Sequence, residues 1–251
     1  MQSAISLLSV VPIRKEPDHR SEMVSQLLFG EYVEVTDERK DFAEVKCCYD
    51  GYKGWIQKNQ LVSNNEILST TCYSSKWCDE VSFENKKIRI PMCTPVYSQV
   101  NNGVDYSDVK WIDSSQQSLT EECLQAIYSH FLNTPYLWGG KSVFGIDCSG
   151  FVQQVFKMFG VSLLRDAYLQ ATQGDPVAAL SEAKTGDLAF FVSDTGRITH
   201  VGIILSGNRI VHASGRVRID EMDEEGIVNT DTRDRTHQLH SIRRVIARKS
   251  F

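Results

Sequence analysis

Over the first 64 residues, polar and apolar side chains alternate in short runs divided by turn-forming residues. Glu31-Tyr32-Val33-Glu34-Val35 and Asp41-Phe42-Ala43-Glu44-Val45-Lys46 each send alternate residues to one face, the pattern of a half-buried strand. Asp50-Gly51-Tyr52-Lys53-Gly54 places turn residues ahead of a strand opening on Trp55-Ile56. Short strands at a spacing of about ten residues predict a small all-β barrel over residues 1–64. Residues 65–116 repeat that texture less regularly. Strands are expected near Lys87–Met92 and Val109–Ile112, a turn at Asn101-Asn102-Gly103, and a second, divergent barrel.

From residue 117 the period changes. Ser118-Leu119-Thr120-Glu121-Glu122 sets hydroxyl caps before acidic first-turn residues, which predicts a helix running to Leu132 and ending before Pro135. A second helix is predicted over Cys148–Phe159. Phe151, Val152, Val155, Phe156 and Phe159 fall on one helical face, Asp147 is a natural N-cap and Gly160 a natural stop. Strands follow at Leu188–Val192, Thr199–Leu205, Arg209–Ala213 and Ile242–Ala247. Helices first and strands after, within residues 117–251, define an α+β domain.

Composition narrows what such a chain can do. With 27 basic and 32 acidic residues the formal net charge is −5, so no overall field draws it to nucleic acid or to an anionic membrane surface. Forty-one per cent of its 251 residues are hydrophobic, enough to build cores, yet no apolar run approaches the ~18 residues of a membrane helix. Met1–Val11 lacks a basic start, is interrupted by Ser3, Ser6 and Ser9, and runs into Pro12-Ile13-Arg14-Lys15-Glu16. It is read as no signal peptide, and a cytoplasmic location is expected. The seven cysteines include no C-x-x-C and no histidine at a zinc-finger spacing, so no metal or other cofactor is expected and most thiols should be reduced and inert. Gly140-Lys141-Ser142 has the ending of a phosphate-binding loop, but Pro135 stands where that loop needs glycine.

Cys148 stands apart from the other thiols. It follows the glycine-rich stretch Trp138–Gly145 and occupies the first turn of the amphipathic helix. Unpaired N–H groups and the helix dipole there favour thiolate, so a lowered pKa is expected. Two histidines lie in consecutive strands, His200 in Thr199–Leu205 and His212 in Arg209–Ala213. If Ser206-Gly207-Asn208 is a three-residue hairpin loop, His212 opposes Gly202, and His200 is its diagonal neighbour on the same face. A two-residue Gly207-Asn208 turn would instead separate them. A cysteine at a helix start with two histidines on one sheet face fits a nucleophile, a base and an orienting group. His19, His130, His237 and His240 have no such setting, and His237 and His240 are read as solvated surface.

Tyr136-Leu137-Trp138-Gly139-Gly140, Gly145-Ile146-Asp147-Cys148-Ser149-Gly150-Phe151-Val152-Gln153, Gly186-Asp187-Leu188, Thr199-His200-Val201-Gly202-Ile203 and His212-Ala213-Ser214 together resemble the NlpC family of papain-like cysteine peptidases. Pro12-Ile13-Arg14, Ser21–Glu31 and Asp50–Trp55 are similar to the bacterial SH3-like modules of one branch, the γ-D-glutamyl-L-diamino acid endopeptidases. The resemblance implies a papain-like domain over 117–251 preceded by two SH3-like barrels, 1–64 and 65–116. Cys148 would be the nucleophile, His200 the general base, and His212 the group that holds the His200 ring. As an imidazole, His212 brings no formal charge of its own. The resemblance adds the Tyr136 hydroxyl as an oxyanion donor beside the Cys148 N–H, and substrate contacts from Asp147, Ser149 and Asp166. Without the resemblance, Arg165-Asp166 reads as an exposed ion pair.

The implied substrate is a peptidoglycan stem peptide, L-Ala-γ-D-Glu-L-Lys or its meso-diaminopimelate counterpart, cut after γ-D-Glu. Glu22 and Tyr52, in the first barrel, are expected to admit only peptides with a free N-terminal L-Ala. Rival readings are an N-acetylmuramoyl-L-alanine amidase or thiol acyltransferase on the same fold, or a non-catalytic wall-binding protein.

Overall fold

Alternation in the amino-terminal region builds a seven-stranded antiparallel sheet in a computed structural model that describes residues 2–64, 66–97 and 103–245. Its spatial order is Met23–Leu28, Val10–Arg14, Lys53–Gln57, Phe42–Cys47, Tyr32–Arg39, Gln2–Ile5, Val62–Asn64. Val10–Arg14 alternates strictly in burial, and Val11, Ile13, Leu27, Val33, Val45 and Ile56 from these strands close one core. The region that follows carries a three-stranded sheet (Lys86–Pro91, Cys78–Phe83, Val104–Asp105) and a two-stranded one (Trp111–Asp113 with Cys72–Ser74). Its apolar residues Val81, Ile90, Val96 and Val104 share one core with Ile5, Leu7, Phe29 and Tyr32, so the two β regions are packed as one body. Asn101 and Asn102 of the expected turn, and the end of the expected Ile242–Ala247 strand, lie outside the described residues.

By compactness the chain divides into two units, Met1–Ser114 with Leu137–Gly145, and Ser115–Tyr136 with Ile146–Phe251. The 137–145 segment belongs to the first unit through specific contacts. The Trp138 indole N–H donates to Glu22 Oε1 (2.7 Å), and the Lys141 backbone N–H donates to Gln26 Oε1 (2.7 Å). Lys141 is buried and its ammonium faces Glu31 at 3.6 Å, which accounts for this lysine without any phosphate. Gly139 has φ +77°, and a Cβ there would lie 2.5 Å from the Met23 carbonyl oxygen, so only glycine lets the segment lie this close.

In the second unit, Thr120 caps the helix Glu121–Tyr128 by accepting from the Cys123 N–H, and a 3-10 turn, Ser129–Phe131, carries the chain onward. Asp147 caps the helix Cys148–Lys157 by accepting from the Gly150 N–H at 2.7 Å. All ten residues of that helix are buried. The strands form a seven-stranded antiparallel sheet in the order Asp175–Val177, Arg235–Arg244, Leu188–Val192, Ile198–Leu205, Arg209–Ser214, Arg216–Asp223, Gly226–Val228. Arg235–Arg244 also pairs with Gly226–Val228, which closes six of the strands on themselves. One face of the closed sheet carries Ala189, Phe191, Ile204, Ile210, Met222 and Ile227. The buried helix packs on Ile198–Leu205 and Arg209–Ser214, whose Val201, Ile203, Val211 and Ala213 alternate to the opposite face.

Candidate active site

The hairpin Ile198–Leu205/Arg209–Ser214 turns through Ser206-Gly207-Asn208 and pairs Gly202 with His212. The three-residue loop thus puts both histidines on one face, and their rings meet: His200 Nε2 lies 2.8 Å from His212 Nδ1. Gly202 makes the room. A Cβ there would lie 2.9 Å from the His212 Cβ.

The chain of bonds continues to a residue that the sequence reading passed over. His212 Nε2 lies 3.0 Å from Asp220 Oδ2, and Asp220 is 1% exposed. Burial opposes its charge, but hydrogen bonds from His212, from the Thr230 N–H and hydroxyl, and from Arg218 outweigh burial and hold the carboxyl well below the usual carboxylate range. An ionised carboxylate only accepts, so His212 Nε2 carries its hydrogen toward Asp220. Nδ1 of a neutral His212 is then bare and accepts from His200 Nε2, which leaves Nδ1 as the basic nitrogen of His200. His212 therefore has a full negative charge behind it, which the imidazole alone lacks. One signal pointed to Asp220: extending the alternation through Arg216–Asp223 sets Asp220 opposite Ile210, on the face of His212.

Cys148 begins the buried helix, and its Sγ lies 3.9 Å from the carbonyl oxygen of Thr199, the residue before His200. Burial pushes the thiol up to about 12 and Asp147 adds to the rise, while the N–H groups of Val201 and Ser149 and the Arg165 guanidinium pull against it. The lowered pKa expected from the helix start is thus overturned, because at 5% exposure desolvation outweighs the helix terminus. His200 is driven well below the ordinary imidazole value by burial and by the neighbouring His212 and His237. Both shifts favour the uncharged forms, a thiol at Cys148 and a neutral imidazole at His200.

Near Cys148 in the chain, Arg165 is 1% exposed, and its guanidinium forks onto Asp147, 3.0 Å to Oδ1 and 2.6 Å to Oδ2. A further bond of 3.0 Å reaches Ser149 Oγ. Arg165 is therefore no exposed surface charge, and Asp147 and Ser149 are both turned into this buried cluster. Breaking such a pair typically costs ~3–5 kcal/mol, because one charge is left uncompensated. Tyr136 is half-buried; burial and the nearness of Cys148 and Asp147 raise its phenol pKa. Asp166 is half-buried at the start of the short helix Ala167–Gln170. His237, read from the sequence as solvated surface, instead stacks on His200 with ring centroids 4.1 Å apart and planes 28° apart.

Glu22 and Tyr52 belong to the first unit. Glu22 is exposed, holds the Trp138 indole and faces Lys15 Nζ at 3.6 Å; Tyr52 is half-buried against the Val11–Ile56 core.

A buried thiol at a helix start, backed on an antiparallel sheet by an imidazole chain that ends in a carboxylate, defines a papain-like cysteine peptidase. Comparison with known proteins agrees. Residues 133–236 match the model described as NlpC/P60 family, and residues 13–61 that of the bacterial dipeptidyl-peptidase Sh3 domain. The chain belongs to the NlpC/P60 family of cysteine peptidases and carries an SH3-like all-β region before the catalytic domain. It is 35% identical over 212 residues to a gamma-D-glutamyl-L-lysine dipeptidyl-peptidase of Bacillus subtilis, covering 75% of this chain and 71% of that protein. It is 26% identical to dipeptidyl-peptidase 6 of Lysinibacillus sphaericus, over 89% of this chain and 93% of that one. The crystal structure of an NlpC/P60 family protein from Bacillus cereus shares the fold, with a TM-score of 0.81 at 22% identity over 96% of this chain and 99% of that chain.

Proposed function

We propose that this protein is a peptidoglycan hydrolase that cuts the bond between γ-D-Glu and the diamino acid, Lys or meso-diaminopimelate, in stem peptides with a free N-terminal L-Ala. The observation that carries this reading is the unbroken chain Asp220–His212–His200, which ends one residue from the carbonyl that accepts from the Cys148 thiol. The relatives named as dipeptidyl-peptidases supply the substrate class.

In this mechanism His200 Nδ1 takes the proton from Cys148 Sγ as the sulfur attacks the γ-carbonyl carbon of D-Glu. The oxyanion is met by the Cys148 N–H and the Tyr136 hydroxyl. The proton passes from His200 to the departing amine of the diamino acid, leaving a γ-D-glutamyl thioester on Cys148. Water, deprotonated by His200, then releases the acyl group and restores the thiol. His212 and Asp220 hold the His200 ring and offset its transient charge. Asp147, through Arg165, keeps the helix start in place, while Ser149 and Asp166 border the peptide. Glu22 and Tyr52 are assigned the unblocked L-Ala ammonium. No cofactor enters these steps. Preference for free peptides over intact wall suits recycled murein peptides in the cytoplasm, the role and location assigned here.

The test is product analysis by mass spectrometry on L-Ala-γ-D-Glu-L-Lys, its meso-diaminopimelate counterpart, the N-acetylated tripeptides and a muropeptide. The expected products are L-Ala-γ-D-Glu and the free diamino acid, with kcat/KM lowered about 100-fold or more by acetylation, the scale of a lost charge-assisted contact. Cleavage between muramic acid and L-Ala would make the protein an amidase, and equal turnover of free and acetylated peptide would remove the assignment of Glu22 and Tyr52.

A further inference from the structure

One hydrogen bond does not fix an imidazole. The bond from His200 Nε2 to His212 sets a direction, but the His200 ring can still swing about that axis. His212 meets it edge-on, with planes at 86° and centroids 5.0 Å apart. Two further rings lie against His200: Phe191, tilted by 48° with its centroid 5.8 Å away, and His237, which is the nearer. His237 lies nearly parallel across one face of His200, 4.1 Å between centroids, and meets Phe191 edge-on at 6.0 Å.

His237 is itself firmly held. Its strand, Arg235–Arg244, pairs Ile227 with His237, and the Leu239 N–H donates to the Glu225 carbonyl at 2.9 Å. Gly226 has φ +145°, and a Cβ there would lie 1.8 Å from the His237 carbonyl oxygen, so the two strands come this close only at glycine. His237 Nδ1 lies 2.8 Å from Thr236 Oγ1.

We infer that His237 is a positioning residue for His200, its ring a cover that fixes the plane of the base. The inference rests on the reading of His200 as the base. The groups that face His237 from neighbouring strands are the His200 and His212 rings, the Asp220 carboxylate and the uncharged Phe191 and Ile227. Burial, then His212, lowers His237 to about 4, with Asp220 acting in the opposite sense, so the cover is uncharged near neutral pH. The cover also keeps water from His200. Removing it would resolvate the imidazolium form and raise the His200 pKa.

Two variants of the full chain separate a ring cover from general packing. His237→Phe keeps a flat ring and loses the titrating nitrogen, whereas His237→Ala loses both. Expected for His237→Ala is a kcat on L-Ala-γ-D-Glu-L-Lys about 10- to 100-fold lower with little change in KM, the scale of a misplaced catalytic group. Its His200 titration midpoint, followed by nitrogen NMR of the histidine rings, should rise by about one pH unit or more. His237→Phe should stay within about threefold of the wild type in kcat, with a midpoint that rises clearly less than in His237→Ala, because the ring still excludes water and only the weaker charge effect of His237 is lost. An unshifted His200 midpoint in His237→Ala overturns the inference, and so does a midpoint that moves equally in both variants. Failure of the wild type to cleave the tripeptide counts against the proposed function alone, since the NMR midpoints still decide the role of His237.

Discussion

At the scale of single residues, the site is a set of groups whose charges are decided by burial and by what stands behind them. Burial pushes the Cys148 thiol up and the His200 imidazole down, so both are biased toward their uncharged forms. Asp220 keeps its charge because His212, Thr230 and Arg218 supply the hydrogen bonds that water would. This has a pH consequence with a definite sign. A base whose pKa is lowered stays unprotonated to lower pH, so the acid limb of kcat/KM should lie clearly below the ordinary histidine value of about 6.5. A limb centred at 6.5 or above, measured with a peptide that the wild type cleaves, would contradict the burial account of His200.

At the scale of elements, the hairpin Ile198–Leu205/Arg209–Ser214 carries the arrangement, and its register rests on Gly202 opposite His212. Gly202→Ala would set a methyl 2.7 Å from Ile210 Cδ1 and 2.9 Å from His212 Cβ. The expected outcome is a loss of kcat/KM of about 100-fold from the displaced His212, with ~1–3 kcal/mol of stability lost to overpacking in a thermal melt. Unchanged kinetics would show that the opposing position tolerates the shift. Much of this was legible in the sequence, because strong alternation set the two strands and an N-cap aspartate with a glycine stop set the helix. The choice between a three-residue and a two-residue loop, and with it the shared face of the histidines, needed the register of the sheet. What escaped was polar. Arg216–Asp223 alternates, but its charged residues resemble a surface loop until the sheet supplies partners, and with it went Asp220. The polar run holding His237 becomes a strand only because the sheet closes through Arg235–Arg244. Arg165 is read as surface for the same reason, its partner Asp147 lying 18 residues away in sequence.

At the scale of the molecule, the chain divides into two compact units, one all-β with a shared core and one α+β with a closed sheet. No helix among the described residues is long and apolar enough to cross a membrane. The central claim is chemical and rests on one sulfur atom. Its most direct test is kcat/KM of Cys148→Ala on L-Ala-γ-D-Glu-L-Lys, with a thermal melt to show that the variant folds. The account predicts a folded protein with under about 1% of wild-type kcat/KM, a loss of ~2.7 kcal/mol or more in transition-state stabilisation. A folded Cys148→Ala that keeps more than that would contradict it.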